Sequence, residues 1–216
     1  VNRISQIGFY SLGLEYDSNL VDKARLSAHK NARFEVAEVS PQYIQKMEHH
    51  DAILLLSVMH RIWALNGKEY AESCLTELSK KTENIYFEGS VGLQRYQGER
   101  KELPSFENNA IEKAVEWHRK WLKKHLTNGT WDVEYLGVVP HTSSEPYRIL
   151  FSAKKLKNKE PSTFSLIDFS PIDVRGRMIE KVNANPSSLL ESFVFHIGLH
   201  RTGTTTLQED FFSPIP

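Results

Sequence analysis

Two groups of residues in this 216-residue sequence have types and spacings suited to chemistry. The first is spread along the N-terminal half. Glu15 stands at the end of FYSLGLEYD, Glu38 stands at the end of FEVAEVS, and Ser57, Met59 and His60 follow the apolar run DAILLLSV. If each run is a strand of an open α/β sheet, these residues share the rim at the carboxyl ends of the strands, where such sheets bind ligands. A carboxylate there can accept both hydroxyls of a ribose, and a second can accept from an adenine amino group. His60 is a candidate base. Taken singly, each has a plainer reading as a helix cap, a solvated carboxylate or a structural histidine, and it is their order and spacing that set them apart. The second group is compact. FVFHIGLHRTGTTTLQ reads as a strand, a glycine-bounded loop and a helix start, with Gly198 and Gly203 framing four residues as in a P-loop. Backbone N–H groups at a helix start cradle an anion, and the helix dipole assists. Thr204 follows Gly203 where a P-loop carries Lys, and Arg201 supplies the cation from inside the loop. The plainer reading is a glycine-punctuated turn with threonine caps.

The elements that must position these residues follow from the apolar pattern. Residues 8–17 read as a buried strand leading into a helix capped by Asp17 or Ser18, with Leu20, Val21, Ala24 and Ala28 on its apolar face. Arg33–Val39 alternates and reads as a strand. Ser40-Pro41 then opens a short helix, because proline tolerates the first helical position. Asp51–Val58 is continuously apolar, as a strand covered on both faces requires. A helix is predicted over 68–81, a strand over 84–88 and a long helix over 107–126. Two further strands, 131–139 and 147–155, are joined by PHTSSEP, short enough for an antiparallel pair. Strand–helix alternation closed by a hairpin predicts an α/β fold, a Rossmann-like and mostly parallel sheet with a C-terminal antiparallel pair. The stretch 157–192 is rich in Lys, Asn, Pro and Ser and reads as a linker with one short helix near 174–182. Residues 193–216 read as a strand–loop–helix tail from a second α/β domain. The expected organisation is therefore 1–156, 157–192 and 193–216, with no internal repeat.

Composition bounds the function classes. Lys+Arg and Asp+Glu are equal at 27 each, which argues against a nucleic-acid partner bound through a whole-surface basic field. No apolar stretch is long enough to span a membrane, and VNRISQIGFYSLG lacks the layout of a signal peptide. The single cysteine, Cys74, cannot form an internal disulfide, so a reducing, cytoplasmic setting is expected. His49 and His50 lack a carboxylate or Cys partner at ligand spacing, and no metal is expected. Because the chain starts at Val1 and stops shortly after the second group begins, a piece of a longer polypeptide is expected.

In their order, the first group and its strands resemble the class I S-adenosylmethionine-dependent methyltransferases over about residues 8–156. GLEYDSNLVDKAR is similar to the segment after that family's glycine motif, FEVAEVS to its adenine-contact segment, and DAILLLSVMHRI to its fourth motif. ELSKKTENIYFEG is similar to the following helix and strand, and the pair ending YRILFSAKK to the closing antiparallel strands. The resemblance implies Glu15 on the cofactor ribose, Glu38 near the adenine, and Ser57 to His60 near the transferred methyl. That family's first motif is a strand and a glycine-rich turn; here only IGFYSL precedes GLEYD. Either Gly8 to Ser11 is the tail of that motif, with Gly8 near the cofactor, or FYSLGLEYD is itself the second strand and the first is absent.

HIGLHRTGTTTLQ resembles the phosphosulfate loop of bacterial sulfotransferases, usually with Lys where Arg201 stands. That resemblance covers about residues 193–212. It implies Arg201 on the sulfuryl group or bridging oxygen of 3′-phosphoadenylyl sulfate, with Thr202, Gly203, Thr204, Thr205 and Thr206 in the same loop and the 5′-phosphate on Gly203 to Thr206. The two resemblances together imply methyl transfer to a small-molecule or saccharide acceptor in a protein that also carries a sulfotransferase unit. The acceptor pocket is expected from 89–106 and 140–146. The alternatives are a non-catalytic methyltransferase-like scaffold and a P-loop nucleotide triphosphatase.

Overall fold

The computed structural model describes residues 1–91, 104, 106, 110–142, 145–156 and 193–197. Its elements run α1 (Asn2–Gln6), β1 (Tyr10–Glu15), α2 (Ser18–Leu26), β2 (Ala32–Val36), α3 (Pro41–Lys46), β3 (Ala52–Leu55), α4 (Met59–Asn66), α5 (Lys68–Leu78), β4 (Asn84–Ser90), α6 (Ile111–His125), β5 (Thr130–Thr142), β6 (Glu145–Leu156) and β7 (Phe193–Ile197). They build a seven-stranded sheet in the order β2-β1-β7-β3-β4-β6-β5. The first five strands in that order are parallel, and β6 pairs antiparallel with both β4 and β5. The expected α/β class, mostly parallel sheet and closing hairpin are all present.

Local chemistry explains the starts and stops. Asp17 caps α2 by accepting from the Asn19 N–H at 2.9 Å, and Ser40 caps α3 by accepting from the Tyr43 N–H at 3.1 Å, with Pro41 in the first turn. Gly67, at φ 93°, ends α4 and opens α5 in a conformation that side chains disfavour. Apolar residues then close the core between sheet and helices. Ile53, Leu55 and Ile85 from the sheet, with Ile44, Leu75 and Leu122 from the helices, lose all solvent contact.

Several boundaries differ from the sequence reading. The apolar run 51–58 is a strand only over Ala52–Leu55, and the chain then turns at Ser57 into α4, a helix the sequence did not suggest. Its N-cap, Val58, makes no side-chain capping bond, so the usual start signal is missing. The helix expected over 68–81 ends at Leu78, and the described part of the long helix runs Ile111–His125. The hairpin strands extend further toward their turn than expected and carry a bulge between Tyr135 and Gly137.

The sequence reading sets residues 193–216 apart as a second unit. The strand Phe193–Ile197 itself lies in the middle of this sheet, parallel to β1 through Leu14↔Ile197 and to β3 through Leu55↔Ile197. The rest of that segment, and the linker with its expected short helix, lie outside the described residues.

Cys74 sits on α5 with no solvent exposure, and burial, helped by the charge of Glu38, pushes its thiol up to about 12. At pH 8 a thiol in that state is protonated and unreachable. Titration with an aromatic disulfide reagent is expected to find no reactive thiol in the native chain and full reaction after denaturation in guanidinium. Rapid labelling of the native chain would contradict this packing.

Candidate functional site

Parallel strands aim their carboxyl ends at one edge, and the sequence-selected residues must be judged by their distance from that edge. Glu15 is the last residue of β1. Its Oε1 accepts from the backbone N–H groups of Tyr16 at 2.9 Å and Asp17 at 3.1 Å. These two bonds fix the carboxylate at the strand tip, while Oε2 has no partner among the described residues. Glu38 lies two residues beyond the end of β2 and is exposed. Burial raises the pKa values of both Tyr70 and Cys74, and the Glu38 charge adds to each, after the Cys74 charge at Tyr70 and directly after burial at Cys74.

Ser57 follows β3 at the same edge. It is buried and holds φ 58°, a left-handed conformation that costs a residue with a side chain about 1 kcal/mol or more. Its hydroxyl donates to Oε1 of Glu88, so the group that would otherwise cap α4 is spent on β4. Glu88 is in turn 3.7 Å from Nε of Arg148, and both side chains are withdrawn from water. The register Ser90↔Arg148 sets that guanidinium at the carboxyl end of β4. Arg148 Nη1 then reaches Nδ1 of His60 at 3.4 Å. One chain of polar contacts thus runs from Ser57 through Glu88 and Arg148 to His60, joining β3, β4, β6 and α4.

Above this chain lies a small cavity of about 20 Å³, bordered by His60 and Trp63 of α4, Glu88 and Ser90 of β4, and Trp117 and His118 of α6. Trp117 stacks on Trp121 at 14° with centroids 5.9 Å apart, and Trp63 packs on both at 6.0 and 5.9 Å. Trp121 is buried and its Nε1 donates to Glu72 at 3.2 Å; Trp117 is half-buried and forms part of the wall.

His118 is a candidate that the sequence reading did not single out within its long helix over 107–126. Its Nδ1 donates to the carbonyl of Ala114 at 2.8 Å. Burial, reinforced by the Arg148 charge and opposed by the Ala114 bond, lowers its pKa to about 4. Gly89 makes room for the ring: a Cβ there would stand 2.8 Å from Cδ2 and 2.9 Å from Nε2. Glu88 and Arg148 were also missed, because a charged residue within a strand reads as solvent-facing until its cross-strand partner is known.

The remaining sequence-selected residues separate. Ser57, Met59 and His60 gather at the rim as expected. Gly8, at φ 107°, lies in the turn between α1 and β1, at the amino end of that strand and away from Glu15. Strand β1 begins at Tyr10, so Tyr10 and Ser11 extend rather than turn, as in the second of the two arrangements that the sequence offered, with FYSLGLEYD as a strand. Arg201, Thr202, Gly203, Thr204, Thr205 and Thr206 lie outside the described residues, as do most of 89–106 and part of 140–146. Among the described residues, no helix is long and apolar enough to cross a membrane, and no three His, Cys, Asp or Glu side chains gather as a metal site.

No protein-family model matches the chain, and no curated protein matches it. Solved structures do. WbdD, with its C-terminal bundle ordered, superposes with a TM-score of 0.52 at 18% identity, over 71% of this chain and 28% of that one. A second structure of WbdD, described there as a bifunctional kinase-methyltransferase, gives 0.45 at 18% identity, over 70% of this chain and 31% of that one. The N-terminal domain of EvdMO1 with SAH bound gives 0.39 at 15% identity, over 67% of this chain and 64% of that one. The chain spans less than a third of the WbdD structures' length. At these identities the likeness is one of fold alone, an α/β sheet shared with WbdD.

The electrostatics make a pH prediction. His118 titrates near 6.5 when unfolded and near 4 when folded, so between those values the unfolded chain binds the extra proton. Stability is therefore complete above pH 6.5 and falls as pH drops, by about 3 kcal/mol from this one group at pH 4. His50 and His125, also lowered chiefly by burial, add in the same direction. Urea melts at pH 7.5, 6 and 5 are expected to show this decline, with a shallower slope in His118→Asn. An unchanged slope in the variant would refute the buried neutral ring.

Proposed function

We propose that this chain is the S-adenosylmethionine-binding body of a methyltransferase acting on a small-molecule or saccharide acceptor. The observation that carries the reading is Glu15: a carboxylate at the tip of β1, pinned through one oxygen by two backbone N–H groups, beside the point where strand order reverses. Such a carboxylate suits a ribose diol, which offers two donors at fixed spacing. Glu38, exposed beyond β2, suits an adenine amino group. S-adenosylmethionine, when bound, supplies a methyl group on a positively charged sulfur. The chain's own residues hold the donor at β1 and β2 and the acceptor at the edge beside β4 and α6, so that the protein's main contribution is alignment. The fold likeness to WbdD is in keeping with this division but does not identify an acceptor.

Calorimetry with S-adenosylmethionine and S-adenosylhomocysteine tests it. Micromolar binding is expected, weakened at least about tenfold in Glu15→Ala by loss of a charged hydrogen-bond acceptor. No heat at millimolar ligand would sink the enzyme reading and leave the non-catalytic scaffold.

The segment 193–212 supports a separate proposal, a sulfotransferase-type loop in which Arg201 and Thr202 to Thr206 take the phosphosulfate. It rests on residue types alone. Competing ATP against 3′-phosphoadenosine 5′-phosphate on a chain extended past Pro216 tests it, and preference for ATP would favour a nucleotide triphosphatase instead.

A further inference from the structure

The described helices cover the two faces of the sheet unequally. Side chains alternate along each strand. On the first face, Ile53 and Leu55 of β3, Phe87 of β4 and Phe151 of β6 are buried. Phe87 meets Trp121 and His118 of α6, and Trp63 ties α4 to the α6 tryptophans. Ile44 of α3 and Leu75 and Leu78 of α5 complete this core, which also takes Leu14 of β1. Ser11 and Gly13 of β1 alternate with Leu14 and so belong to the second face. The α1 segment covers them there. Ser5 and Ser11 share a hydrogen bond, and a Cβ at Gly13 would stand 2.8 Å from Cγ2 of Val1. Pairing carries the Gly13 position across the second face in one row: Gly13↔His196, His196↔Leu54, Leu54↔Tyr86 and Tyr86↔Ser152. Leu150 follows in the next row, opposite Glu88. Among the described helices, α4 and α6 are the ones that pack on β4 and β6, and both lie on the first face. Central parallel strands need cover on both faces. Leu54, Tyr86 and Leu150 are half-buried, and burial raises the Tyr86 pKa.

The length of chain outside the described residues, and the points where it leaves them, select the cover. The segment between β4 and α6 leads from the carboxyl edge to a helix of the first face. Residues 157–192 leave β6 and return to β7 at the amino edge, and they are rich in Lys, Asn, Pro and Ser. Residues 198–216 instead leave from the middle of the sheet at the carboxyl edge, because Ile197 pairs with both Leu14 and Leu55. The first face is already filled, so the second is the one left to them. From Thr204 their sequence reads as a helix. Leu207 and Phe211 are four residues apart and share a helix face, with Phe212 beside them and Glu209 opposite. A helix over 204–212 is about 13 Å long. The four residues of β3 also span about 13 Å.

We infer that residues 204–212 dock as a helix on the second face of the sheet, with Leu207 and Phe211 against Leu54, Tyr86 and Leu150. The docked helix lies beyond α1 on the same face and gives β3, β4 and β6 their missing layer. Apolar burial drives the contact, and Glu209 stays on the solvent side. Residues 193–212 then belong to the same folded unit as β1 to β6, first through strand pairing and then through this helix. The docking does not depend on the methyltransferase reading.

The test uses the full 216-residue chain with a photoreactive benzophenone side chain at one of two positions, Tyr86→p-benzoylphenylalanine or Leu150→p-benzoylphenylalanine. After irradiation and trypsin digestion, mass spectrometry is expected to find cross-links from both positions to the peptide 202–216, within one molecule. Adding Phe211→Asp is expected to lower that yield at least about tenfold, because an unpaired carboxylate resists burial. The Cys74 thiol, buried in the core of the first face, is expected to stay unreactive in that variant and so to report an intact sheet. Cross-links to 92–109 or 157–192, cross-links between copies, or none from either position would each overturn the inference. An unchanged yield in Phe211→Asp would overturn it as well.

Discussion

The carboxyl edge of this sheet depends on one buried ion pair, Arg148 with Glu88. Both side chains are out of water, and the pair's mutual attraction must offset a desolvation penalty of several kcal/mol per ion. Such a pair is a poor source of net stability. Its value here is positional. Glu88 also receives the Ser57 hydroxyl, which holds the turn after β3 in its left-handed conformation. Arg148 also reaches His60 and lowers the proton affinity of His118 across the cavity. Removing either charge would take one partner from a buried ion in the chain of contacts that links the ends of β3, β4, β6 and α4.

The sheet itself has a comparable dependence. Among the described residues, β1 and β2 connect to β3 and the rest of the sheet through β7 alone. Strand β7 pairs with β1 and β3 in one continuous register, bringing Glu15 and Ser57 to the same edge on either side of Ile197. Glu15 therefore sits on one half of the sheet and the cavity beside β4 on the other. Their relative position is set by backbone hydrogen bonds to a strand that comes last in the sequence.

What the sequence revealed, and what it hid, follow from the range of the interactions. Periodicity and caps act within a few residues. They disclosed α2 with Asp17, α3 with Ser40-Pro41, the buried strands and the hairpin. Glu15 and the Ser57–His60 cluster were legible too, because strand ends are local features and α/β sheets place ligands at them. The hidden parts all rest on pairing at long range. Helix α4 starts without a capping bond because the nearby hydroxyl is committed to a residue 31 positions away. Glu88 and Arg148 look like solvated charges until the antiparallel register places them together. Gly8 left two arrangements open for a related reason: a glycine before a strand looks the same whether the following residues turn or extend.

The histidines carry this point furthest. His60 and His118 are chemically identical as letters, and neither has a diagnostic neighbour in sequence. Their difference arises entirely from what faces Nδ1: a cation that can only donate, 88 residues away, or a carbonyl that can only accept, one helical turn before. The second of these is a local bond that any helical histidine can make, and it becomes informative only when burial removes water as a competing partner. Gly89 supplies that burial by omitting a side chain where the ring must lie. The proton arrangement of the cavity is thus decided by a glycine on β4, a carbonyl within α6 and an arginine on β6. A reading based on residue type therefore could not tell which of the two rings faces a donor and which an acceptor.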